Sequence, residues 1–90
     1  MKAHVLISGF VQGIGFRAFV KKHALDLGIK GWVANTQDSR VEAMFVGPKE
    51  KIDQMIEMCR KGPFLAQVRD VEVKLVDSDK EEYQTFEIVH

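Results

Sequence analysis

The hydrophobic repeat of this chain switches between about two and about 3.6 residues in a fixed order, and that order leaves few folds open. Residues 4–8 (HVLIS) are short, apolar and partly β-branched, which reads as a strand. From residue 16 to 27 the positions Phe16, Phe19, Val20, Ala24 and Leu27 follow helical spacing, and Gly28 stands where a left-handed residue would end a helix. Residues 31–35 (GWVAN) and 40–46 (RVEAMFV) read as two strands joined by the polar turn 36–39 (TQDS), a hairpin. In the second of them Val41, Ala43 and Phe45 alternate with Glu42 and Met44, so one face is expected to be buried.

Gly47 and Pro48 open a second helix, whose stripe is Ile52, Met55, Ile56 and Cys59 and which ends at Gly62 and Pro63. Residues 68–76 (VRDVEVKLV) alternate as a fourth main strand, 77–82 form a charged loop, and 84–89 (QTFEIV) suit a short edge strand. The order β-α-β-β-α-β predicts an α+β fold, the ferredoxin-like split β-α-β sandwich. It has an antiparallel sheet of four main strands plus the short last one, and two helices on one face. Right-handed crossovers leave few other topologies. That arrangement hosts metal carriers, RNA-binding sheets, regulatory modules and enzymes, so function has to be read from the residues themselves.

Ninety residues are enough for one core and one domain, expected to span 1–90. A composition 46% hydrophobic and 29% charged is that of a globular protein and too apolar for a disordered one. Thirteen basic residues balance thirteen acidic ones, so net charge points to neither a nucleic-acid nor a membrane partner. Cys59 is the one cysteine, which rules out an intrachain disulfide and fits a reducing cytoplasm. The apolar run near the amino terminus is too short for a signal peptide, and no window approaches the ~20 apolar residues of a membrane span. A cytoplasmic protein is expected.

The stretch 9–17, GFVQGIGFR, places three glycines between the first strand and the first helix. Glycine permits positive φ, so successive backbone N–H groups can turn into one concavity. The free N–H groups of a helix's first turn and the positive end of its dipole face the same place, and Arg17 adds a planar fork suited to phosphate oxygens. GIGFRA lacks the third glycine of GxGxxG and is not followed by GK[ST], so neither common nucleotide signature is present. Local pattern leaves two readings open: a tight turn beside an exposed arginine, which it slightly favours, and a small anion site. Asn35 shifts the balance, because the end of the second strand and the loop after the first lie at the same edge of the sheet in this topology.

VQGIGFR at 11–17, followed by LGIKGWVAN at 27–35, resembles the acylphosphatase signature. The strand beginning Val41-Glu42, Gly62-Pro63 with Ala66 and Val68, and the late Phe86-Glu87-Ile88 agree with it as well. The resemblance implies an enzyme that hydrolyses the carboxyl-phosphate anhydride bond of acyl phosphates to a carboxylate and inorganic phosphate. It makes Arg17 the phosphate-binding arginine and Asn35 the residue that positions the attacking water. Gln12, Gly13, Ile14, Gly15 and Phe16 become the phosphate cradle, through their N–H groups. A carboxylate is a good leaving group, so what remains is to hold a dianion, spread its charge and aim a water in line. The accompanying expectations are small-molecule acyl phosphates as substrates, phosphate as product and inhibitor, no metal, no cofactor, no nucleic-acid or membrane partner, and a monomer.

One position departs from the family's usual hairpin, which often reads Asp-Gly where this chain has Asp38-Ser39. Ser39 is expected to cost roughly 1 kcal/mol if the turn requires positive φ. Two other functions fit the same topology. A binding or regulatory module would handle carbamoyl phosphate, as this domain does when fused to larger maturation enzymes. An RNA-binding sheet would need exposed aromatics on its central strands, where only Phe45 is available.

The remaining candidates have plain readings. His4, His23 and His90 lack ligand spacing, and Cys59 and Trp32 suit packing. Asp77, Asp79, Glu81 and Glu82 form a charged loop without the glycine of a calcium site. Lys21, Lys22 and Lys30 either raise the local positive potential or belong to a solvated face.

Overall fold

Alternation along residues 2–10 makes β1 (Lys2–Phe10), which buries Ala3, Val5 and Ile7 in the computed structural model; the structure describes residues 1–78, 80 and 82–90. Asp79 and Glu81, two members of the expected charged loop, lie outside the described residues. After β1 come α1 (Phe16–Asp26), β2 (Lys30–Asn35), β3 (Val41–Val46), α2 (Lys49–Lys61), β4 (Gln67–Val76) and β5 (Phe86–Ile88). The order matches the expectation, with ends displaced by one or two residues. Pro48 serves as the amino-terminal cap of α2 and not within its first turn.

The five strands stand in the order β4-β1-β3-β2-β5. Across the sheet Val33, Ala43, Val5 and Val73 occupy one row, so the inward positions of four strands fall in register. Both helices cover that face. α1 contributes buried Phe16, Val20 and Ala24, and α2 contributes Ile52, Met55, Ile56 and Cys59, the stripe read from its spacing. Phe45 is fully buried there, which removes the one aromatic that an RNA-binding sheet would have offered on β3. Gly31 pairs with Phe45 on one side and Phe86 on the other. The two rings stack, centroids 5.7 Å apart and planes 20° from parallel, and a Cβ on Gly31 would run into the Met44 carbonyl.

The last strand corrects one expectation. β1, β2, β3 and β4 pair antiparallel, but β5 runs parallel to β2, so the sheet is mixed. The cause is where β4 ends and where β5 begins. β4 ends with Val76 opposite Lys2, at the start of β1, and β5 begins with Phe86 opposite Gly31, at the start of β2. The connection therefore stays at one end of the sheet. It is fastened there by the Met1 ammonium donating to the Ser78 carbonyl at 3.1 Å, by Lys2 paired with Glu82, and by Trp32 Nε1 donating to the Tyr83 hydroxyl at 3.3 Å. A strand leaving that end can only run the reverse of β4, which is the direction of β2. No helix is long and apolar enough to cross a membrane, among the described residues.

Burial pushes the Cys59 thiol up to about 12, with no exposure of the side chain to solvent. At pH 8 the native protein should leave a disulfide reagent such as Ellman's reagent unconsumed, and denaturant should release one equivalent. Native-state reaction at the rate of free cysteine would contradict the packing of α2 described above.

Candidate active site

The loop between β1 and α1 is pinned at both ends. Val11 and Phe16 are each buried, and the four residues between them must reverse the chain. Gly13 and Gly15 do so in the left-handed region, at φ 76° and 83°. Nothing lies within 4 Å of where a Cβ would stand on either, so the requirement is conformational and the space above the loop is open. Gly15 is the amino-terminal cap of α1; no side chain caps the helix and its first turn holds no acidic residue. The N–H groups of Phe16, Arg17 and Ala18 thus lack helical acceptors, and the positive end of the dipole is unneutralised.

That end of α1 opens onto a cleft of about 200 Å³. Gly13, Gly15, Arg17, Ala18, Asn35 and His90 line it, with Val11, Phe16 and Ile88 as its apolar part. The volume suits a phosphoryl group with a few waters, at about 30 Å³ of liquid each, and is below the ~300 Å³ at which drug-sized ligands are taken. Asn35 is exposed at the last position of β2, so its amide reaches solvent on the cleft side. Arg17 donates from NH1 to Nδ1 of His90 at 3.2 Å. Arginine can only donate, so Nδ1 is the acceptor in this bond, and most of the guanidinium's five N–H groups stay available to a ligand.

Arg17 and Asn35, far apart in sequence, therefore share one cleft, together with Gly13, Gly15 and Phe16. The side chains of Gln12 and Ile14 turn away from it: that of Ile14 packs on the core, and the Gln12 amide turns to the β2–β3 hairpin. His90 and Ile88 were not legible as site residues. No motif surrounds them, and they arrive only because β5 runs with β2 and carries the chain up to the cleft. The other histidines keep their plain readings. His4 bonds Glu42 at 2.6 Å, and His23 meets the edge of the Phe19 ring at a centroid distance of 4.5 Å. Lys22 reaches Asp26 at 2.9 Å, as expected of a solvated helix face.

The hairpin that follows Asn35 is closed by its own polar groups. The Thr36 N–H donates to the Arg40 carbonyl at 2.9 Å, and the Arg40 N–H to Oγ1 of Thr36 at 3.0 Å. Asp38 accepts from Arg40 Nε at 2.9 Å and from the Thr36 hydroxyl. Ser39 adopts φ 71°, the left-handed conformation that the departure from Asp-Gly put in question. The bond from Arg40, then that from Thr36, holds the Asp38 carboxyl at about 2.

The Acylphosphatase family profile matches residues 3–88. An acylphosphatase of Syntrophobacter fumaroxidans is 48% identical over 87 residues, 97% of this chain and 89% of that one. The crystal structure of acylphosphatase from Bacillus subtilis superposes with a TM-score of 0.94 at 34% identity, covering 99% of this chain and 98% of that one. Full-length HypF, solved in a phosphate- and nucleotide-bound form, contains a segment that superposes with a TM-score of 0.85 at 29% identity; the match covers 99% of this chain and 12% of HypF. The fold and the cleft thus define a small ferredoxin-like phosphohydrolase. The chain belongs to the acylphosphatase family, and its reaction is the hydrolysis of acyl phosphates to a carboxylate and inorganic phosphate.

Two outcomes are expected of the hairpin. Ser39→Gly removes the left-handed penalty and returns part of it as chain entropy, for a net gain of about 0.5–1 kcal/mol, measurable as a higher urea midpoint at unchanged slope. Asp38 has a folded value below its ordinary 3.8, so its contribution to stability is full above pH 4 and is lost as pH falls toward about 2. A carboxyl titration followed by NMR should place its midpoint near that lower value; a midpoint near 4 would mean that the Arg40 and Thr36 bonds do not persist in solution.

Proposed function

We propose that Arg17 and the backbone N–H groups of Gln12, Gly13, Ile14, Gly15 and Phe16 bind the substrate's phosphoryl group, and that Asn35 positions the attacking water. What supports this reading is the meeting of Arg17 and Asn35 across a cleft into which the uncapped end of α1 opens. The N–H loop and the guanidinium concentrate positive potential where charge develops on the phosphoryl oxygens, and need no reorganisation as it does. A neutral carboxamide can accept from a water and hold it without repelling the dianion. The leaving carboxylate needs little protonation, which fits a site lined by glycines, an arginine, an asparagine and a histidine bonded to that arginine. No general base is assigned; the substrate's own phosphate is the acceptor we favour.

The same reading makes catalysis metal-independent and inorganic phosphate a competitive inhibitor. No three His, Cys, Asp or Glu side chains converge to hold a metal ion among the described residues. It also takes residues 1–90 as one catalytic domain acting as a cytoplasmic monomer without cofactor, nucleic-acid or membrane partners. The buried, unpaired Cys59 and the balance of thirteen positive against thirteen negative residues are in keeping with this. The higher identity and TM-score to the Bacillus subtilis acylphosphatase than to HypF favour catalysis over a module that only binds carbamoyl phosphate.

Substitution separates the two roles. Arg17→Ala should lower turnover of benzoyl phosphate by at least about 10²-fold and weaken phosphate binding with it. Asn35→Ala should lower turnover by a similar factor and leave phosphate affinity nearly unchanged. At 100 times its dissociation constant, phosphate should stabilise wild type and Asn35→Ala by about 2.7 kcal/mol, and Arg17→Ala far less. Circular dichroism checks that each variant is folded, and wild-type rates should be the same in EDTA. The reverse pattern of phosphate stabilisation would exchange the two roles, and activity lost to EDTA and restored by a divalent ion would sink the metal-free mechanism.

A further inference from the structure

We infer that the side chain of Gln12 is a positioning residue for the reaction, a brace between the anion loop and the hairpin that carries Asn35. The inference rests on the role proposed for Asn35. Gln12 sits between Val11, buried in the core, and Gly13, where the loop turns, yet its amide leaves the loop altogether. Nε2 donates to the Thr36 carbonyl at 2.9 Å and to the Arg40 carbonyl at 2.8 Å. A carboxamide nitrogen has two hydrogens, and both are spent on the two ends of one turn.

The choice of acceptors is informative. Thr36 and Arg40 are the closing pair of the hairpin, already joined by the Thr36 N–H to the Arg40 carbonyl at 2.9 Å. Thr36 directly follows Asn35, and Asn35 itself pairs with Val41, which directly follows Arg40. Fixing those two carbonyls therefore fixes the backbone on both sides of the Asn35 pair. Within the sheet β1 and β2 do not pair, because β3 stands between them. With the brace, the loop that presents N–H groups and the strand end that presents Asn35 are tied directly, across 24 and 28 residues of sequence. An in-line displacement depends on the separation of water and phosphorus, and a misplacement of about 1 Å can cost about 10²-fold in rate. A part that holds this separation acts on turnover and not on phosphate affinity.

The chemistry of the side chain follows. Glutamate would set carboxylate oxygens against two carbonyls, asparagine falls one methylene short, and methionine has the length but no donor.

A double-mutant cycle with Asn35 tests the brace, using benzoyl phosphate turnover and phosphate inhibition, with melting curves to confirm folding. Gln12→Met should lower kcat by about 10- to 100-fold, while the phosphate inhibition constant moves less than about twofold. In the Asn35→Ala background the same substitution should change kcat less than about twofold, because the group that the brace positions is gone. An equal loss in both backgrounds, a loss matched by weaker phosphate binding, or wild-type kcat in Gln12→Met beside a crippled Asn35→Ala would each overturn the inference. Asn35→Ala with wild-type turnover would instead overturn the role of Asn35, and the brace with it. Should Gln12→Met not fold at the assay temperature, Gln12→Asn keeps the amide at the wrong length and is expected to show the same split.

Discussion

The burial of Val11 and Phe16 on either side of a four-residue turn is the constraint on which the site depends. Two side chains fixed in the core leave the intervening backbone little choice: it must reverse within that span, and left-handed residues at positions 13 and 15 let it do so. The helix then begins without a side-chain cap, because its cap residue is a glycine. A serine or aspartate at that place would be strained at φ 83°, and its oxygen would occupy an N–H group that faces the cleft. The uncapped helix end and the N–H groups left open to the cleft have the same structural origin.

A second dependence runs through the far end of the sheet. Ser78, Glu82 and Tyr83, between β4 and β5, are fastened to Met1, Lys2 and Trp32, and β5 leaves that end of the sheet parallel to β2. Phe86 enters the core and stacks on Phe45, which anchors the strand, while Ile88 and His90 continue to the cleft. The contact between Arg17 and His90 is thus held by packing at the opposite end of β5. Fully burying a phenylalanine contributes about 1.5–3 kcal/mol, enough to keep so short a strand in place.

The hairpin is a smaller version of the same principle. Ser39 lies in the left-handed region at some cost, and the bonds among Thr36, Asp38 and Arg40 offset it. The turn therefore closes without the glycine that its shape favours, and Asn35 stays at the end of β2, opposite Val41.

Much of this was legible in the amino-acid order. Alternation exposed the inner face of β3, the stripe Ile52, Met55, Ile56 and Cys59 marked the face of α2, and the glycines at 13 and 15 marked a turn into α1. Such signals are local: the period of a strand or helix, and the φ tolerance of glycine, are set within a few residues. The meeting of Arg17 with Asn35 followed from topology, because right-handed crossovers bring those two ends together. Three things required the tertiary structure. The direction of β5 depends on where a connection crosses the sheet, His90 reaches the cleft only through that direction, and the amide of Gln12 finds its acceptors 24 and 28 residues away. A hydrogen bond between distant segments leaves no period in the sequence, since a glutamine donates equally well to water until folding decides which carbonyls stand beside it.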